Sequence, residues 1–302
     1  MIIYSERKRD KLKKILITGG SGFIGRNLKE LLQDSYYIKA PAHNELDLLD
    51  SYAVSDYLKK ERFDVVIHSA NINTTRNKEN SAYDSLNGNL QMFFQLEKNS
   101  GLFGKMLYFG SGAEYDMDHY VPGMKEEFFG TFIPKDPYGF SKYIMAKHTE
   151  YLDNVYDLRL FGVYGKYEEW ERRFISNTIC RILNGGPIVI HQNVVFDYLW
   201  VEDLSDIVKW FIEHKPAYRH YNVCSGRRTD LLSLAQIIKD VMHASCDIIV
   251  ENKTMKREYT GDNGRLLKEM GKISFSDYEK TIIELVRFYQ GIWHTIDRSG
   301  CI

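Results

Sequence analysis

"KKILITGGSGFIGRNLKELLQD", Lys13 to Asp34, is the stretch that decides the fold. It begins as a short apolar run ending in glycines, the pattern of a buried strand. It then sets Phe23, Ile24, Leu28, Leu31 and Leu32 at helical spacing on one face. Between the two, Gly19, Gly22 and Gly25 recur as G-x-x-G-x-x-G. A helix N-terminus carries unpaired N–H groups and partial positive charge, and glycine lets the backbone approach a pyrophosphate closely enough to use both. The unit of strand, glycine turn and helix therefore predicts a dinucleotide ligand.

Outward from this unit the same rhythm continues. Strand-length runs follow at "YYIKA", "DVVIHSA", "KMLYFGS" and "VYDLRLFG", separated by helix-length segments at "DSYAVSDYLKKE", "SLNGNLQMFFQLEKN" and "PYGFSKYIMAKHTEYL". Such alternation predicts an α/β fold with a Rossmann-type doubly wound parallel sheet, covered on both faces. After Gly165 helical patterns dominate with only short strands between them, as expected of a smaller mixed C-terminal substrate lobe. The expected division is 13–165 for the dinucleotide-binding domain and mainly 166–295 for the second lobe, with the chain free to cross back to the sheet. Residues 1–12 read as a charged, solvated leader.

Bulk properties narrow the partners. With 40 basic and 41 acidic side chains in 302 residues, the net charge of −1 provides no field to gather nucleic acid or a membrane surface. Cys180, Cys224, Cys246 and Cys301 are widely spaced and form no cluster with histidines, so neither a disulfide framework nor a zinc site is expected, and no metal is assigned. A charged N-terminus and the lack of a long apolar run point to a cytoplasmic protein.

The second informative stretch is "DPYGFSK", Asp136 to Lys142. Pro137 suits the first turn of a helix, and Tyr138 and Lys142, four apart, share one face of it. There an ammonium can stabilise a phenolate and pull a tyrosine pKa down from its usual ~10, which makes the phenol a usable acid and base. Ser111, at the carboxyl end of a predicted strand, sits where open parallel sheets place ligand groups. At the adenosine end Glu45 has the sequence distance of a ribose-binding carboxylate, yet "KAPAHN" carries no acid at the tip of the second strand. The missing carboxylate, with Lys39 and His43 nearby, favours NADP over NAD.

Together "TGGSGFIG", "ELDLLD", "DVVIHSA", "GSGAEY", "PYGFSK", "LRLFGVYG", "YLWVEDL" and "YNVCSG" make residues 13 to 290 resemble the extended short-chain dehydrogenase/reductases, the NAD(P)-dependent epimerases and dehydratases of nucleotide sugars. "ELDLLDSYAVSDYLKKERFDVVIHSA" is most similar to the GDP-fucose synthase branch. The resemblance implies a catalytic triad of Ser111, Tyr138 and Lys142, with Asn87 supporting the lysine's proton relay. It implies a cofactor site built from Gly19, Ser21, Gly22, Phe23, Ile24, His43, Asp47, Leu48, Ser69, Ala70, Tyr138 and Lys142, with Asp47 and Leu48 near the adenine. The expected partners are a nucleotide-sugar substrate, held by Ser111, Gly112, Arg173 and Arg257, and a second copy of the chain in a homodimer.

Departures from the family pattern restrict the reaction. Gly112 and Ala113 stand where dehydratases carry an Asp-Glu pair, and Ala113 also stands where fucose synthases carry a cysteine for epimerisation. "YEEWERRFISN" lacks the histidine that accompanies that cysteine, Gly162 replaces a frequent asparagine, and Phe196 replaces a frequent arginine. Hydride transfer at a sugar C4 carbonyl survives these losses. The expectation is a 4-keto-sugar reductase, with a 4-epimerase that keeps its NAD bound as the rival and a non-catalytic NAD(P)-binding sensor or scaffold as the alternative from another class.

Overall fold

In a computed structural model of the chain, residues 12–72, 81–271 and 273–296 are described. The expected leader, apart from Leu12, and Cys301 lie outside the described residues. The chain runs through β1 (Lys14–Thr18), α1 (Phe23–Leu32), β2 (Tyr37–Lys39), α2 (Ser51–Glu61), β3 (Phe63–His68), α3 (Ala82–Glu97), β4 (Phe103–Ser111), α4 (Pro137–Thr149) and β5 (Val155–Leu160). It continues through β6 (Gly162–Tyr164), α5 (Phe174–Leu183), β7 (Ile188–Gln192), β8 (Val195–Phe196), β9 (Tyr198–Trp200), α6 (Val201–Glu213) and β10 (His220–Val223). The last elements are β11 (Thr229–Asp230), α7 (Leu231–Val241), β12 (Ile248–Asn252), α8 (Gly264–Met270) and α9 (Tyr278–Ile292).

Two compact units emerge. The first contains the described residues up to His119, then Glu126–Leu160 and Ser205–Asn222. Its six-stranded sheet has the order β10-β5-β4-β3-β1-β2, and the pairings β1–β2, β1–β3, β3–β4 and β4–β5 are all parallel. The chain order reverses at β1, which has β2 on one side and β3 on the other, so the carboxyl ends of β1 and β3 flank a topological switch point. Leu16, Val66, Phe93, Met106, Tyr108 and Val155 form the centre of its core. The helices begin where their side chains cap them. Asp50 accepts from the Tyr52 and Ala53 N–H groups at 2.8 and 3.0 Å, and Ser81 and Asp84 form a reciprocal capping box on α3.

The second unit contains Tyr120–Lys125, Phe161–Leu204 and the described residues from Val223 onward. It has three two-stranded pieces, β11-β8, β12-β7 and β6-β9. Ile179, Trp200, Leu234, Ile282 and Tyr289 form its main core, contributed by α5, β9, α7 and α9. The division therefore falls near Leu160, and residues 205–222 return to the first unit to supply its last strand. No helix among the described residues is long and apolar enough to cross a membrane.

Candidate active site

Gly19, directly after β1, has φ of +68°, a conformation that residues with a Cβ rarely adopt. A Cβ there would also lie 2.8 Å from both Cα and N of Ala70, so the turn is pressed onto the end of β3. Thr18 ties the same two strand ends: its Oγ1 accepts from the Ala70 N–H at 3.2 Å and pairs with His68 Nδ1 at 2.8 Å. Gly22 donates its N–H to the Gly19 carbonyl at 2.9 Å, and a Cβ on Gly25 would meet that carbonyl oxygen at 2.3 Å. Helix α1 therefore starts against the turn, capped by Gly22 without a side-chain hydrogen bond and with no acidic residue in its first turn. Its leading N–H groups, which a helix cannot pair internally, are available to an anion. Around them Ser21 is exposed and Phe23 and Ile24 are half-buried. A cradle that any added Cβ would fill, at the start of a helix and at a switch point, fits the pyrophosphate of NAD(P).

On the adenosine side the acids bond to nearby backbone. Glu45 folds back to accept from the Ala42 N–H at 2.7 Å, and Asp47 accepts from the Leu49 N–H at 2.9 Å. Leu48 is buried in the core, so what it offers an adenine is backbone. Neither expected cation stands clear of acids, because Lys39 lies 3.9 Å from Glu61 and the exposed His43 lies 3.8 Å from Asp47.

The candidate catalytic groups come from the ends of β4 and α4. Ser111 closes β4 and caps the short turn Gly112–Glu114: its Oγ accepts from the Ala113 N–H at 3.1 Å, while Glu114 Oε1 accepts from the Ser111 N–H at 2.9 Å. Asp136 caps α4 by accepting from the Gly139 N–H at 2.8 Å, with Pro137 in the first turn. Two close approaches bring this helix to the strand. A Cβ on Gly139 would lie 2.6 Å from the Ala113 carbonyl oxygen, and Lys142 Nζ donates to the Phe109 carbonyl at 2.8 Å. Tyr138 keeps 39 % of its surface exposed while Lys142 keeps 5 %, so the tyrosine reaches the surface and the ammonium is sheltered. Nζ lies 5.9 Å from the Tyr138 ring centre and 4.8 Å from that of Tyr108. Burial pushes the Lys142 ammonium down to about 8, against the opposing pull of Glu114 and Asp157. His68 is pushed down to about 3, by burial first and by Lys142 second, so its imidazole is neutral.

Asn87 requires a correction. It lies on the exposed face of α3, because this helix buries Ser85, Gly88, Asn89, Met92, Phe93 and Leu96. The inward amide is Asn89, whose Oδ1 accepts from the Ile72 N–H at 2.7 Å and whose Nδ2 donates to the Ile72 carbonyl at 3.1 Å. Asn89 thus fastens the segment after β3. Sequence reasoning also passed over Glu114, Asp157 and Arg159, all with 0 % exposure. Their signal was present: an acid and an arginine two apart in an otherwise apolar strand must be paired with something if both are buried. Arg159 Nε donates to Glu114 Oε2 at 2.6 Å and to Asp157 Oδ2 at 2.9 Å, and its guanidinium lies 4.1 Å from the Phe129 ring centre.

The remaining candidates, Arg173 at the cap of α5 and Arg257 beyond β12, are exposed residues of the second unit. That unit also has a groove of about 700 Å³ between the ends of α5 and α7, lined by none of the candidates. No group of three or more His, Cys, Asp or Glu residues that could hold a metal occurs among the described residues.

The model of the NAD dependent epimerase/dehydratase family matches residues 15–224, which include the glycine turn, Ser111, Tyr138 and Lys142. The chain belongs to this family. It is thereby an enzyme of the extended short-chain dehydrogenase/reductase type. Within the family it is 25 % identical to a GDP-6-deoxy-D-mannose reductase of Pseudomonas aeruginosa over 312 residues, covering 90 % of this chain and 99 % of that one. It is 26 % identical to a putative UDP-glucose 4-epimerase of Methanocaldococcus jannaschii over 254 residues, covering 74 % and 81 %. A GDP-L-fucose synthetase from Naegleria fowleri, solved bound to NADP, shares the fold with a TM-score of 0.83 at 16 % identity over 94 % of each chain.

Proposed function

We propose that this member of the family reduces the C4 carbonyl of a nucleotide-activated sugar. The observation that carries the reading is the junction of α4 with β4: an open Tyr138 and a buried Lys142 meet a Ser111 turn continued by Gly112 and Ala113. Ser111 Oγ donates to the keto oxygen. Tyr138 transfers its hydroxyl proton to that oxygen as a C–H bond forms at the carbon. Lys142 supplies positive charge beside the phenol and holds the nicotinamide ribose. When bound, reduced nicotinamide supplies the hydride. Gly112 and Ala113 have no acid or base to remove a proton from carbon, which supports reduction over dehydration or epimerisation through a carbon acid.

NADPH is the proposed donor, supported by the lack of an acidic residue in β2 and in the segment Ala40–Asn44 that follows it. The charge that a substrate diphosphate needs is assigned to Arg173 and Arg257. The proposal includes a cytoplasmic homodimer, and light scattering tests the dimer.

The decisive experiment offers 4-keto sugar nucleotides to the purified enzyme with NADPH or NADH, follows cofactor absorbance and identifies the product. Stoichiometric NADPH consumption with formation of a 4-hydroxyl is the expected result. Protein that carries tightly held NAD+ and turns over without added NADPH would replace this reading with the 4-epimerase. Tyr138→Phe separates catalysis from a binding role, because only an enzyme loses turnover with cofactor affinity intact.

A further inference from the structure

The buried charges next to the Ser111 turn are not accounted for by the catalytic triad. We propose that Glu114 is a positioning residue for Ser111: its carboxyl holds the Ser111 turn from the buried side and ties it to Arg159 and Asp157.

Geometry supports both parts. The only side chain that accepts from the Ser111 N–H among the described contacts is Glu114, at 2.9 Å, and the same carboxyl accepts from Arg159 at 2.6 Å. Ser111 is therefore anchored through Glu114 to a guanidinium that is itself inside the protein. Gly110 shows how tightly the acids converge, since a Cβ there would lie 2.1 Å from Asp157 Oδ1 and 2.2 Å from Glu114 Oε1. Glycine at 110 is what lets the two carboxyls face each other across β4. Asp157 Oδ1 is buried without a hydrogen-bond partner, a vacancy that a proton on Glu114 fills. Burial and the neighbouring Asp157 hold the Glu114 carboxyl well above its ordinary range, in keeping with a proton shared by the pair.

The groups facing Lys142 come from every element around it. They are neutral His68 on β3, Tyr108 on β4, Tyr138 on α4, Glu114 in the turn and Asp157 on β5, which is itself paired to Arg159. Glu114 and Asp157 are the groups that favour the ammonium, and burial opposes it. Glu114 touches neither substrate nor cofactor in this assignment. It acts through Ser111.

The inference rests on Ser111, Tyr138 and Lys142 being the reaction centre, and its test has a readout that needs no sugar substrate. NADPH binding is titrated by nicotinamide fluorescence across pH for the wild type, Glu114→Gln and Glu114→Met, alongside kcat, KM and thermal melts. Wild-type affinity is expected to fall as Lys142 loses its proton near pH 8. Glu114→Gln keeps an acceptor for the Ser111 N–H but cannot ionise. Like the protonated carboxyl it carries no charge, so it is expected to leave that midpoint in place and to keep kcat within roughly threefold, whereas Glu114→Met, which has no acceptor, lowers kcat on the order of 10- to 100-fold. A Gln variant whose midpoint moves to lower pH overturns the neutral anchor, and a Met variant with wild-type kcat overturns the proposal. Parallel loss of melting temperature and activity in both variants also overturns it and leaves a packing role. If no 4-keto sugar nucleotide is turned over by the wild type, the reductase reading fails, and the midpoint in Glu114→Gln still decides the role of Glu114. If Glu114→Met does not fold, the Gln variant decides alone.

Discussion

Gly139 sets the distance between the helix that carries Tyr138 and Lys142 and the turn that carries Ser111. Gly139→Ala adds one methyl group at a position 2.6 Å from the Ala113 carbonyl oxygen and 2.6 Å from Asp136 Oδ2. The aspartate can rotate away. The Ala113 carbonyl belongs to a turn capped at both ends, so the helix must move instead. Ordinary contact begins at 3.4 Å, and the separation needed is about 0.8 Å. A misplacement near ~1 Å costs on the order of 10²-fold in rate, so kcat is expected to fall roughly 30-fold, or ~2 kcal/mol of transition-state stabilisation. Helix propensity acts the other way and favours alanine by up to ~1 kcal/mol, which limits the melting-temperature change to a few degrees. NADPH affinity should fall less than kcat, because the glycine cradle lies elsewhere in the chain and only Tyr138 and Lys142 move with this helix. The assay is single-turnover NADPH oxidation, with thermal melts and NADPH titration on the same preparation. A folded Gly139→Ala protein with wild-type kcat would refute the claim that this close approach aligns the site.

Other expectations follow from the same coordinates. Gly19→Ala forces φ of +68° on a residue with a Cβ and sets that Cβ 2.8 Å from Ala70, so NADPH affinity should fall at least ~10-fold with a stability loss of ~1–3 kcal/mol, measured by titration and urea melts. Lys142 titrates near 8 in the fold against 10.5 ordinarily, so the native state binds fewer protons than the unfolded chain between those values, and its contribution to stability rises with pH across that window. Thermal melts of wild type and Lys142→Met should therefore shift in favour of the wild type from pH 8 to 10.5, and a constant difference contradicts the assignment. Glu168, bonded by the Ser176 hydroxyl, is pushed up to about 8 by burial. The unfolded carboxyl ionises from about 4.5 upward, so this group loses stability as pH rises from there to about 8. Glu168→Gln should consequently hold its melting temperature better than the wild type at the upper end of that range.

The glycine turn was legible because its parts are contiguous. Backbone strain at Gly19 and the close approaches of Gly22 and Gly25 follow from local turn and helix geometry, which a few neighbouring residues specify. Tyr138 and Lys142 were legible for the same reason, being one helical turn apart. Asn87 was misplaced because two asparagines lie two residues apart on α3, and the side of the helix that faces the sheet depends on packing. Glu114 and Arg159 were missed because their partnership crosses 45 residues of chain and exists only once β4 and β5 are side by side.

By itself the sequence determined the α/β alternation, the glycine turn and the placing of Tyr138 and Lys142 on one helix, since each depends on short-range periodicity and on the chemistry of neighbouring side chains. Tertiary structure alone decided that residues 205–222 rejoin the sheet, that Gly139 brings α4 onto the Ser111 turn, and that two carboxyls meet across Gly110. Those features depend on distances between segments remote in the chain, and such distances are set by how whole helices and strands pack.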